Sequence, residues 1–285
     1  MKNLPRPKGS RLRLLSAGSV FETCVSMVQN AALRTQLRAL RRDVARESTD
    51  YNSRGRHKTL YRMTPHAQVG NIAGDELVKV YLRMVRKKGA GRAIYDRILA
   101  APVNGTCPMC GIGIVNTLDH YLPKTHFPVF SVTPNNLVPA CTWCQGAKLE
   151  YFPTTAAGQL LHPYYDDVSA EVWLRAEVVV GVPASFHYFA DPPAHWARSL
   201  KQRVATHLKE LNLAKLFSSN AGSRLSEIRH RLDILFQAGG APAVRDHLRE
   251  DLASSEADQR NSWSSAMYRA AVASDWFCDG GYGPT

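Results

Sequence analysis

Four cysteines constrain this chain more than any other feature. Cys107 and Cys110 form one C-x-x-C pair, Cys141 and Cys144 a second, and thirty residues separate the pairs. Each pair can make a small turn that points two sulfurs at one ion, and two such turns close a tetrahedral site with no open position. The spacing predicts a structural Zn2+ held by all four thiolates, stapling a segment too short to build its own hydrophobic core. The first residues are basic, and Ser16, Gly18, Ser19 and Glu22 interrupt their apolar stretch, which makes a poor secretory signal. A cytoplasmic location is the expectation, and it favours metal ligation over disulfides. Cys24 and Cys278 stand far from the pairs and are expected to be buried apolar thiols.

A length of 285 residues allows one or two domains, and 45% hydrophobic with 21% charged residues is globular composition. No run of apolar residues is long enough to span a membrane. The expected class is α+β, predominantly helical, in four regions. Residues 1–100 are a basic helical region behind a loose arm over 1–15. A helix is expected over 20–46, with Leu33, Leu37, Leu40 and Val44 on one stripe. A loop follows over 48–72, and a second helix starts at Asp75 with Leu77, Val80, Tyr81, Met84 and Val85 on its inner face. Residues 101–168 hold the cysteine core. Residues 169–192 alternate as two strands around a Gly/Pro turn, a hairpin. Residues 193–285 are helical, with apolar stripes through Leu200–Leu211, Leu225–Leu235 and Val244–Leu252, and a last helix packing Trp263, Met267 and Trp276 inward.

Charge is distributed unevenly. Residues 1–100 hold 21 Lys/Arg against 7 Asp/Glu, a surplus of 14, while the remainder is nearly balanced, within a total of +12. Such asymmetry points to a polyanionic partner, nucleic acid first. Arg83, Arg86, Lys87, Lys88 and Arg92 form the densest cluster, placed to follow a phosphate backbone. Lys124 and Lys148 are further candidates for phosphate contact.

Between the cysteine pairs, Asp119 and His120 end a strand-like run, and Asn136 lies in a Pro-Asn-Asn turn. Gln145 and Lys148 follow the last cysteine as if opening a helix. An acid, an imidazole, an amide turn and a lysine around a zinc knuckle suit metal-assisted phosphodiester hydrolysis, which needs a base near water and a cation on the scissile phosphate. Neighbouring side chains on a strand point to opposite faces, so Asp119 and His120 can share a site only if the strand bends.

The pattern C-x-x-C, then L-D-H-x-L-P-K, then P-x-N-L-V-P-x-C-x-x-C-x-x-x-K, resembles the HNH endonucleases, whose core is the ββα-metal (His-Me) finger. The motif covers about forty residues, and a weaker likeness extends over most of the chain. The resemblance implies a small ββα-metal core set between the helical regions. It implies His120 as the general base and Asp119 as a ligand of a catalytic Mg2+ or Mn2+. Asn136 would fix the loop between the strands and orient His120, and the residue after the fourth cysteine would be the second ligand. That position is usually His or Asn in the family; here it is Gln145, whose extra methylene relative to Asn displaces the donor oxygen. His162, with Asp166 behind it, is a substitute candidate. The resemblance implies DNA ahead of RNA as substrate, a role in bacterial phage defence or a mobile element, and an ATPase as a partner. The competing expectation is a non-catalytic zinc module that binds nucleic acid or a protein.

Overall fold

The structure is a computed structural model that describes Leu4, residues 15–86 and residues 88–283. The arm expected over 1–15 lies almost wholly outside the described residues, as does Lys87. The chain divides into two compact units, Lys2–Asp166 and Asp167–Thr285. The basic helical region and the cysteine segment share the first unit, and the hairpin and the last helices share the second.

The first unit opens with α1 (Ala17–Val25), capped by Ser16, whose hydroxyl accepts from Ser19 N–H at 3.1 Å. Asn30 caps α2 (Ala31–Ala39) in the same way, accepting from Leu33 N–H at 3.0 Å, and α3 (Arg41–Arg56) follows. The single helix expected over 20–46 is therefore three: Asn30 starts α2 by satisfying an orphan amide, whereas α3 begins after Leu40 with no side-chain cap. The loop expected from residue 48 begins only after Arg56. Val44, Ser48, Tyr51 and Gly55 continue one buried stripe at i, i+4, i+7 and i+11, in small and polar residues rather than aliphatic ones. Ser48 Oγ meets Thr133 Oγ1 at 2.7 Å, and the Tyr51 ring lies 5.1 Å from that of Phe130.

A minimal antiparallel pair, β1 (Gln68–Val69) and β2 (Ile72–Ala73), leads into α4 (Gly74–Val85) and α5 (Ala90–Leu99). Leu77, Val80, Tyr81 and Met84 are buried, as their spacing predicts, whereas Val85 stays exposed. Then β3 (Thr117–His120) pairs antiparallel with β4 (Leu137–Ala140), setting Asp119 opposite Val138 and His120 opposite Leu137. Cys141 occupies the N-cap position of α6 (Thr142–Lys148), which completes a strand–strand–helix run. Tyr81 OH donates to Leu118 O at 3.3 Å and ties α4 to β3.

In the second unit, β5 (Leu174–Val179) and β6 (Ser185–Ala190) form the expected hairpin, in register from Leu174↔Ala190 to Val179↔Ser185. Its inner face, including Leu174, Phe186 and Tyr188, is buried. Helices α7 (Arg198–Glu210), α8 (Leu213–Gln259) and α9 (Trp263–Ala273) follow; β5 packs on α9 and β6 on α8. A bend divides α8 at Gly240, where φ is 63°, and Pro242 follows with no amide to donate. The last helix does not pack its tryptophans inward: Trp263 is half-buried and Trp276 exposed, and Met267, Tyr268 and Phe277 fill that core. Among the described residues no helix is long and apolar enough to cross a membrane. The whole is helix-rich with small antiparallel sheets.

Candidate functional site: a thiol cluster and an acid–imidazole cleft

Cys107, Cys110, Cys141 and Cys144 come together as the spacing predicts, all buried, with their sulfurs within 4.8 Å of one another. The Cys110 and Cys141 sulfurs are 3.8 Å apart. A tetrahedron with Zn–S bonds of ~2.3 Å has edges of about 3.8 Å, so the cluster can hold a metal ion such as zinc. The first turn is closed by Cys107 N–H to Gly113 O at 2.7 Å and by Gly111 N–H to Cys107 O at 2.8 Å. Gly113 also donates its amide to Cys110 Sγ at 3.4 Å. A Cβ at Gly113 would sit 2.6 Å from both Cβ and Sγ of Cys141, so only glycine leaves room for the second pair to close on the first. Cys24 and Cys278 are fully buried apart from this cluster, and burial pushes the Cys24 thiol up to about 12, an inert side chain.

Asp119 and His120 line one cleft of about 290 Å³, despite their adjacency on β3. The strand ends at His120, and Tyr121 N–H turns to Asn136 O at 2.8 Å. His120 Nε2 lies 2.9 Å from the Ser131 carbonyl, which places the proton on Nε2 and leaves Nδ1 as the acceptor nitrogen. The Tyr81 ring packs edge-on against the imidazole at 4.5 Å. Burial holds the imidazole neutral, down to about 3, with the Ser131 carbonyl pulling the other way.

Asn136 is fully buried and bridges the β3–β4 connection. Its Oδ1 accepts from Leu122 N–H at 2.8 Å, and its Nδ2 donates to Leu122 O at 3.0 Å and Phe130 O at 3.3 Å. It thereby fixes the loop that carries Ser131.

Lys148 is not a surface phosphate contact. It is buried, donating from Nζ to His120 O at 2.7 Å and pairing with Asp119 Oδ2 at 3.1 Å. Burial raises the Asp119 carboxyl, and Lys148 opposes that rise.

His162 is not at the cleft either. It is buried between the Tyr121 and Tyr165 rings, with centroids 4.2 and 4.6 Å away. Tyr164 N–H donates to its Nδ1 at 3.2 Å, and Nε2 faces Tyr51 OH at 3.0 Å, so both ring nitrogens serve the core. Asp166 accepts the His162 amide at 2.7 Å and pairs with Lys58 at 3.3 Å.

Gln145 does line the cleft, as do Lys124 and Glu150. Glu150 is the carboxylate the sequence reading missed; it pairs with His126 at 3.6 Å. Tyr81, Leu82, Val85 and Tyr95, from α4 and α5, form another part of the wall, and only the tertiary fold brings them there. Of the basic cluster, Arg83 lies on α4 and Arg92 on α5, the helices that wall the cleft, while Arg86 and Lys88 lie between them. Arg83 donates to Met27 O at 3.1 Å. Arg92 donates to Val85 O at 3.1 Å and pairs with Asp96 at 2.7 Å. Arg86 and Lys88 are exposed.

Asp119, Gln145 and Glu150 each bring a side-chain oxygen to the lining of this cleft.

No family model matches this chain. No solved structure matches it. It is 33% identical over 227 residues to protein ea31 of Escherichia phage lambda, a match covering 74% of this chain and 76% of that protein. The chain belongs to the family of phage lambda protein ea31.

Proposed function

We propose that this chain is a metal-dependent endonuclease of the HNH type, cutting phosphodiester bonds in DNA. The observation that carries the reading is the shared cleft of Asp119 and His120, with the imidazole proton fixed toward Ser131. That orientation suits His120 Nδ1 to accept a proton from attacking water. An anionic phosphodiester beside the ring would favour the imidazolium and work against the depression that burial causes. Asp119 and Gln145 would hold a Mg2+ or Mn2+ ion, with Glu150 the other carboxylate of the lining. A bound divalent ion supplies Lewis-acid polarisation of the phosphate. The four thiolates would hold Zn2+ and support the fold without entering the reaction. Lys124, Arg86 and Lys88 offer positive charge to the strand. The phage origin of the relative supports a mobile-element or phage-related setting.

One observation favours the second reading, a zinc module that binds nucleic acid without cutting: the Lys148 ammonium already accompanies the Asp119 carboxylate. The test is plasmid DNA incubated with purified protein in Mg2+, Mn2+ or EDTA. Nicking is expected with either metal, none in EDTA, and a loss of at least about a hundredfold in His120→Ala, as for a general base. Salt-sensitive binding without nicking selects the zinc module.

A further inference from the structure

Leu149 closes α6 with φ 45° and ψ −120°, a backbone region that side chains avoid and glycine tolerates. The side chain is also 71% exposed, so burial does not compensate the conformation. The surroundings hold it. Leu149 N–H donates to Gln145 O at 3.0 Å, and Tyr151 N–H donates to Lys148 O at 2.9 Å. Lys148, one residue earlier, is anchored in the core on His120 O, and Tyr151 OH is anchored on Gly158 O at 2.6 Å. A strained backbone fixed from both sides thus presents an apolar side chain to water, and that side chain lines the cleft of Asp119 and His120. Leu82 and Val85 are the other exposed large aliphatic residues of the lining. A phosphodiester backbone offers such a surface nothing, whereas a base face does.

We propose that Leu149 is a wedge that enters a base step of duplex DNA at the cleft and unstacks it, with Leu82 and Val85 covering the freed base face. Apolar side chains inserted between base steps act this way in DNA-bending proteins. The proposal rests on the nuclease reading for its target, the step at the scissile phosphate, yet unstacking can be read without cleavage.

The test uses the full chain and duplexes carrying 2-aminopurine at each adenine of one strand in turn, with no Mg2+ or Mn2+ added. Wild-type protein should raise the fluorescence at one step, and Leu149→Gly and Leu149→Asn should bind without doing so. Leu149→Gly should not melt below wild type, because glycine accepts this φ and ψ without strain, and Leu149→Asn, no more strained there than leucine, should melt close to it. In Mg2+ or Mn2+, Leu149→Gly should lose cleavage of intact duplex at least about tenfold more than cleavage of a duplex mismatched at the cut step, where stacking is already broken. A fluorescence gain that persists in both variants, or an equal loss on the two substrates, overturns the wedge. No cleavage by wild type, with Leu149-dependent fluorescence intact, overturns the nuclease reading alone. Cleavage without any fluorescence change overturns the wedge alone, and a chain that neither binds nor cuts DNA overturns both.

Discussion

A buried ammonium needs compensation from its neighbours, and Lys148 finds it in one carbonyl and one carboxylate. The pair is weak evidence of stability taken as a whole, but removing one partner leaves the other charged in a place it was never solvated. Lys148→Met should therefore destabilise the fold by about 3 kcal/mol near neutral pH. The pH dependence follows from Asp119, whose carboxyl is raised by burial and loses its main opposing cause with Lys148. A folded-state pKa raised above the unfolded one contributes stability at low pH that is lost as the pH rises through it. The variant should come closest to wild type at acid pH and weaken progressively above the ordinary carboxylate range. Urea unfolding across that range checks the slope. Asp119→Asn in the same background should recover most of the loss, and a Lys148→Met protein equally destabilised at every pH would sink the argument.

At the scale of elements, what was legible in the sequence follows how local each signal is. The cysteine turns are set by spacing within four residues, and the β5–β6 hairpin by alternation on both sides of a turn; both stand as expected. The second half of α3 escaped because its inward stripe contains Ser48, Tyr51 and Gly55, which periodicity in aliphatic residues does not register. His162 looked like a ligand because histidine beside carboxylates often is one, and its role in an aromatic cluster depends on Tyr51 and Tyr121, far away in the chain. Ser131 escaped entirely, since it acts on His120 through its carbonyl, which every residue has. The thiol cluster, being local, also gives a local prediction. Removing its metal with a strong chelator should strip hydrogen-exchange protection from residues 105–148 while the β5–β6 hairpin keeps its own, because the segment depends on the staple. Gly113→Ala should reproduce part of this, as its Cβ meets Cys141 at 2.6 Å, and should be purified with less bound zinc by mass spectrometry. Unchanged zinc content in that variant would mean the two turns have room the structure denies them.

Across the whole molecule, charge and chemistry coincide in one unit. Lys2–Asp166 holds 23 Lys/Arg against 10 Asp/Glu, whereas Asp167–Thr285 holds 13 against 14. The surplus positive charge therefore travels with the cleft, and the second unit adds none of it. Not all of that charge is available to a polyanion. Arg92 is committed to Asp96 and the Val85 carbonyl, while Arg86 and Lys88 are exposed on the segment that joins the two cleft helices. Each phosphate that a cation neutralises contributes about 0.9 to the slope of log affinity against log salt concentration. Arg86→Ala/Lys88→Ala should reduce that slope by about two on duplex DNA. Arg92→Ala should leave it nearly unchanged, because the side chain it removes was already neutralised within the protein. Fluorescence anisotropy over a salt series measures both. Equal slopes for wild type and the double variant would move the nucleic-acid surface away from α4 and α5, and with it the reason for placing DNA at this cleft.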